Sequence, residues 1–106
     1  MDRNRQILEA IKSTAANVLP EGSRIRLFGS RARGDYREDS DWDIHILIPG
    51  EKKLFFYETT EYAYPFEKLG FENDEVFSIL IYTFKEWERR SYLPFYKNVE
   101  AEGIDL

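Results

Sequence analysis

Asp41 and Asp43 flank Trp42 at the head of an apolar run in which Trp42, Ile44, Ile46 and Ile48 alternate with Asp43, His45 and Leu47. Residues two apart on a strand point the same way, so both carboxylates should project from one open face, in line with His45. Like charges held a few ångströms apart oppose each other's ionisation, and a divalent cation between them removes the conflict. The chain has one histidine and no cysteine, which excludes thiolate sites and sites built from several imidazoles. The ion such a seat would take is therefore hard and oxygen-seeking, as Mg²⁺ is. Mg²⁺ needs only one or two carboxylates when water and phosphate oxygens complete its shell, so two acids suffice to recruit a metal-bound nucleotide.

A phosphate cradle is available upstream. Gly29 permits close backbone approach, the amides after it can form a nest or a helix N-terminus, and Ser30 adds a hydroxyl donor. Arg31 and Arg33 carry positive charge that the chain as a whole lacks. The cradle meets the carboxylates only if the strands at 24–28 and 41–48 run antiparallel, so that the end of one abuts the start of the other.

The surrounding elements can be read from periodicity. Ile7, Ile11, Ala15 and Val18 form one helical stripe over residues 3–19, stopped by Pro20. Residues 51–69 read as a helix with Phe55, Tyr62, Phe66 and Leu69 inward and Pro65 kinking or splitting it. The β-branched and aromatic run 75–83 is the third strand, and residues around 85–90 and 94–104 read as two short helices. Trp42, Phe55, Tyr62 and Trp87 are expected in the core, whereas tyrosines among 57, 62 and 64 that stay exposed would mark a partner surface. With 106 residues and no Pro- or Gly-rich linker, residues 1–106 are expected to fold as a single domain.

Composition narrows the classes. Aromatic content of 16% argues against disorder. A net charge of −5 and a pI near 4.9 supply no general attraction for nucleic acid, so no nucleic-acid partner is expected. The absence of cysteine and of a membrane-length apolar run makes a reducing, cytoplasmic setting the default expectation, with no membrane association. Neither a Walker A loop nor a dinucleotide fingerprint is present.

The stretch "GSRARGDYREDSDWDI", Gly29-Ser30 and then ten residues before Asp41-Trp42-Asp43, resembles the signature of the minimal nucleotidyltransferases of the DNA polymerase β superfamily. The specific part of the resemblance covers about residues 24–48. It implies an α/β (α+β) nucleotidyltransferase fold, a small mixed β-sheet with helices packed mainly on one face. It also implies transfer of a nucleoside monophosphate, AMP from Mg-ATP, to an acceptor hydroxyl with loss of pyrophosphate. Asp41 and Asp43 would be the metal-binding and catalytic residues, and Gly29, Ser30, Arg31 and Arg33 would bind nucleotide. Single-domain members act as antitoxins of HEPN-type toxins, which they bind and, when active, modify with AMP on a tyrosine; a partner protein is therefore implied.

One position departs from the pattern. Active members carry a third carboxylate on the next strand, and Ser78 occupies its place here. A hydroxyl cannot replace that charge, which leaves a second reading open: a catalytically impaired nucleotidyltransferase-like binding module that neutralises or scaffolds a partner. Asp74 sits one repeat too far to substitute, and Glu75 has the opposite parity. Two plainer readings stand beside the chemical ones. Arg31 and Arg33 can belong to a solvated mixed-charge loop, and a lone histidine such as His45 is more often a partly buried, hydrogen-bonded residue than a ligand.

Overall fold

The structure, a computed structural model, describes residues 2–106. Its centre is a four-stranded sheet in the order β3-β2-β1-β4, formed by β1 (Arg24–Phe28), β2 (Trp42–Ile48), β3 (Phe77–Thr83) and β4 (Ile104–Asp105). β1 runs antiparallel to β2, with Leu27 opposite Ile44 and Phe28 opposite Asp43. β2 runs parallel to β3, with Asp43 opposite Ser78 and Ile46 opposite Ile81.

Helix α1 (Arg3–Val18) starts where the Asp2 side chain accepts a hydrogen bond from the Arg5 amide and ends ahead of Pro20. Ile7 and Ile11 on its inner stripe meet Ile25, Leu27, Trp42, Ile44, Ile46 and Ile48 from the sheet. Ala63 and Phe66 of α3 (Phe56–Glu72) complete this layer. The opposite face has a smaller cluster, in which Phe28 and Leu47 pack with Trp87 of α4 (Phe84–Arg89) and Val99 of α5 (Pro94–Glu102). The two long helices thus share one face, and short helices cover part of the other.

Several expectations change. α3 begins at Phe56 rather than near residue 51, and Phe55 is an exposed residue ahead of it instead of a core one. Trp42 and Trp87 are buried as expected, and Tyr62 packs half-buried against the larger cluster. Pro65 does not split α3. Proline removes one helical hydrogen bond, but Ala63 and Phe66 on either side of it are both buried against the sheet and hold the halves in register. The end of the chain adds a strand where the last helix was expected to continue: Ile104 and Asp105 pair with Leu27 and Arg26 along the outer edge of β1. No described helix is long and apolar enough to cross a membrane.

Candidate functional site

β1 ends at Phe28, and Gly29 turns the chain with φ 72 and ψ −158 into α2 (Ser30–Arg33). The Gly29 carbonyl accepts hydrogen bonds from the amides of Ala32 and Arg33, each at 3.0 Å, and Gly34 closes the turn by donating to the Ser30 carbonyl at 2.9 Å. The first amides of a helix have no partner within it, so those of Ser30 and Arg31 are left without an intrahelical bond. A Cβ placed on Gly29 would overlap an Asp43 carboxylate oxygen and lie 3.1 Å from its Cγ. The glycine is what lets the turn and the carboxylate meet.

Asp41 is exposed just ahead of β2, and Asp43 is half-buried within it. Burial raises the Asp43 pKa above the ordinary carboxylate value, and the neighbouring Asp41 charge raises it further, while Arg33 pulls it down. Bringing a cation to this pair would relieve a conflict the fold has built in. Ser78 pairs with Asp43 across the parallel ladder, so its side chain leaves the sheet on the same face. Among the described residues no group of three or more acids, histidines or cysteines is arranged to hold a metal. The two aspartates therefore suit an ion whose remaining ligands are water and phosphate, as Mg²⁺ accepts, and do not form an all-protein cage.

The two arginines part company. Arg33 is exposed and bonded to Asp35 at 3.4 Å and Glu102 at 3.1 Å, close enough to the pair to act on Asp43. Arg31 turns inward. Its guanidinium donates to the Ser40 carbonyl at 3.0 Å, the Glu38 carbonyl at 3.2 Å and the Glu75 carboxylate at 3.3 Å. It also lies 4.5 Å from the ring centres of both Tyr36 and Trp42. The Arg31 side chain thus braces the 36–42 loop, through Tyr36, Glu38, Ser40 and Trp42.

His45 differs from both of its expected environments. It lies on the Asp43 face but is fully buried, ringed by Phe28, Tyr82 and Trp87, and neither ring nitrogen has a hydrogen-bond partner among the described residues. Burial first, and then the Arg26 charge, lower its pKa to about 3, so the ring is neutral. The face expected to be open along its whole length is open only at the aspartates.

Sequence reasoning passed over Glu75 and Glu102. Glu75 accepts hydrogen bonds from Trp42 Nε1 at 2.7 Å and Arg3 at 2.8 Å as well as from Arg31. Burial alone would raise its pKa, but the bonds from Arg3 and Trp42 and the nearby positive charges hold it below the ordinary value. Its opposite parity, the reason for setting it aside as a metal ligand, is what turns it toward the arginines. Glu102 reaches Arg33 from the end of α5. No local spacing marks either contact, which joins residues 44 and 69 positions apart.

Comparison with known proteins gives this geometry a setting. A Methanocaldococcus jannaschii protein, provisionally named a protein adenylyltransferase, is 43% identical over 44 residues, which is 41% of this chain and 44% of that protein. The chain thus matches less than half of that curated relative's length. A toxin–antitoxin crystal structure with AMP-PNP superposes with a TM-score of 0.64 and 23% identity, over 92% of this chain and 69% of that one. A Sulfolobus solfataricus structure, provisionally named a nucleotidyltransferase, gives a TM-score of 0.58 and 22% identity, over 94% and 76%. At these identities the two structures establish a shared fold. The family described as "Nucleotidyltransferase domain" matches residues 5–103, nearly the whole chain and all of the Gly29–Asp43 junction, and the chain accordingly belongs to that family.

Proposed function

We propose that this protein transfers AMP from Mg-ATP to a hydroxyl of a partner protein, a tyrosine of a HEPN-type toxin, and so serves as an antitoxin in a cytoplasmic setting. The observation that carries the reading is the meeting of Gly29 with the Asp43 carboxylate, which sets the Gly29–Ser30 turn directly against one acid of the Asp41/Asp43 pair. The family match supports nucleotidyl transfer, and the likeness to a toxin–antitoxin structure with AMP-PNP supports a nucleotide and a partner protein.

In this reading Asp41 and Asp43 would hold the metal, which would supply positive charge against that developing on the phosphates. Ser30 and the amides opening α2 receive phosphate oxygens, and Arg33 exchanges a carboxylate partner for phosphate. Arg31 positions α2 and the aspartate loop. The acceptor hydroxyl gives its proton to water and its oxygen bonds to the α-phosphorus, as the bond to the bridging oxygen breaks and pyrophosphate leaves with that electron pair. Calorimetry with Mg-ATP on the wild type and on Asp41→Asn/Asp43→Asn tests the site: saturable binding lost in the double variant is expected, and equal binding by both, or none by either, removes the proposal.

The second reading, a binding module without catalysis, is favoured by Ser78 beside Asp43. It expects the double variant to suppress its partner's toxicity as well as the wild type does. Suppression lost with binding intact would rule for the enzyme.

A further inference from the structure

The outward side of α3 contributes nothing to the core, yet it is aromatic. Tyr57, Tyr64 and Phe71 are 62%, 61% and 84% exposed, and their spacing of seven residues keeps them on a single stripe opposite buried Phe66. Phe55 stacks on Tyr57 and extends the stripe past the helix start. Exposed aromatics aligned in this way mark an interaction surface more often than scattered ones do.

The residues beside the stripe say what can cover it. Counting about 100° per residue from Tyr64, Glu61, Lys68 and Glu72 fall on one flank and Thr60 and Glu67 on the other, all of them exposed. Among the described residues neither Glu61 nor Lys68 makes an ion pair or a side-chain hydrogen bond within the chain. Both find one across a two-fold axis that passes between two Tyr64 side chains, perpendicular to both helices. That rotation keeps each flank on its own side and reverses direction along the helix. Glu61, three residues before Tyr64, then comes beside Lys68 of a second copy, four residues after it, and the pair forms twice. The same operation brings Tyr57 against Phe71 of the second copy and Glu67 beside the uncharged Thr60, so no glutamate is set directly opposite another. The first half of the stripe thus complements the second. In a parallel pair Lys68 would turn to Glu67 instead, but the two helix dipoles would lie side by side in the same sense, whereas the antiparallel pair opposes them.

We propose that this face of α3 packs antiparallel against the same face of a second copy of the chain, giving a symmetric dimer. The inference goes beyond nucleotidyl transfer and does not rest on it. One helix face per copy makes a small interface, and the dimer is accordingly weak and reversible. The Gly29–Asp43 junction contains no residue of α3, so pairing and nucleotide binding can be tested apart.

Sedimentation of the full chain over a concentration series reaching about 1 mM tests this. The wild type should pass from monomer toward dimer, and Tyr64→Glu/Phe71→Glu, which alters exposed residues only, should stay monomeric with the dilute thermal melt unchanged. Glu61→Lys and Lys68→Glu should each weaken the dimer at least tenfold by opposing like charges twice, and added salt should narrow that loss. Glu61→Lys/Lys68→Glu together should restore it, because the exchanged charges still meet their opposites across the axis. A parallel pair would not recover, since it would set the new glutamate at 68 against Glu67. A wild type that stays monomeric throughout overturns the proposal, as does a dimer that persists in Tyr64→Glu/Phe71→Glu or a double charge exchange that fails to restore pairing. So does a monomer whose α3 face instead takes up a lysine-flanked, leucine-seamed helical peptide or phosphatidylglycerol vesicles, either of which would then be the occupant.

Discussion

Gly29 sits in a region of backbone space that is essentially glycine's alone, and any side chain there would strike Asp43. Gly29→Ala should cost about 1–3 kcal/mol of stability in denaturant melts, and by displacing the carboxylate it should weaken Mg-ATP binding at least tenfold by calorimetry. Ser78 is paired with Asp43 in the ladder, so Ser78→Asp should add a third acid to the seat. We expect it to raise Mg²⁺ affinity and labelled-AMP transfer to a supplied partner, and to lower the metal-free melting temperature by repulsion. A wild type whose transfer the variant does not improve would show that Ser78 is not a missing catalytic position. His45 supplies a pH dependence. Its ring ordinarily protonates near 6.5 but in the fold only near about 3, with Glu100 partly offsetting burial and Arg26. Between those values the unfolded chain binds the extra proton. The stability due to the neutral ring is therefore complete above pH 6.5 and lost as the pH falls toward 3, by at most about 1.4 kcal/mol per pH unit. The raised pKa of Asp43 acts in the opposite sense, favouring the fold as the pH falls, in wild type and variant alike. His45→Phe should flatten the decline in urea melts across pH 4–7; an unchanged slope would mean the ring is solvated.

At the scale of elements, one carboxylate ties four segments together: Glu75, just ahead of β3, bonds to Arg3 of α1, Arg31 of α2 and Trp42 of β2. Only 11% of its side chain is exposed, so removing it strands buried donors. Glu75→Ala should cost about 3 kcal/mol and weaken Mg-ATP binding by loosening α2, and Glu75→Gln, which keeps an acceptor, should cost less on both measures. Periodicity made α1, β1, β2 and β3 legible because each hides one stripe or face, a property written into neighbouring residues. It could not reveal β4, two residues long, which exists only because β1 offers an edge to pair with. Nor could it separate Arg31 from Arg33, alike in type and two apart. Their fates are decided by Glu75 and Glu102, far along the chain. The aspartates and the Gly-Ser turn were readable because their meeting needs only adjacent antiparallel strands. The burial of His45 was not, since it depends on α4 and α5 folding back over a face that alternation alone left open.

For the molecule as a whole, the sheet is held between a large cluster under α1 and α3 and a small one under α4 and α5, and the site lies at its rim. A ligand that binds only the folded chain stabilises all of it, by about 2.7 kcal/mol at one hundred times its dissociation constant. Mg-ATP should therefore raise the wild-type melting temperature by several degrees and leave Asp41→Asn/Asp43→Asn unmoved, as differential scanning fluorimetry would show. A shift of the same size in both proteins would place the nucleotide elsewhere. The strand order also has a consequence for handling the protein. β3 is at the end of the sheet, and among the described residues no strand covers its outer edge. Its sequence, "FSILIYT", contains no charge and no proline. Such an edge is a template for strand addition between molecules, and the charges that guard it, Asp74 and Glu75 before it and Lys85 and Glu86 after it, stand only at its two ends. When the chain opens partway during heating or refolding, aggregation should begin at this strand, and its extent should grow with protein concentration.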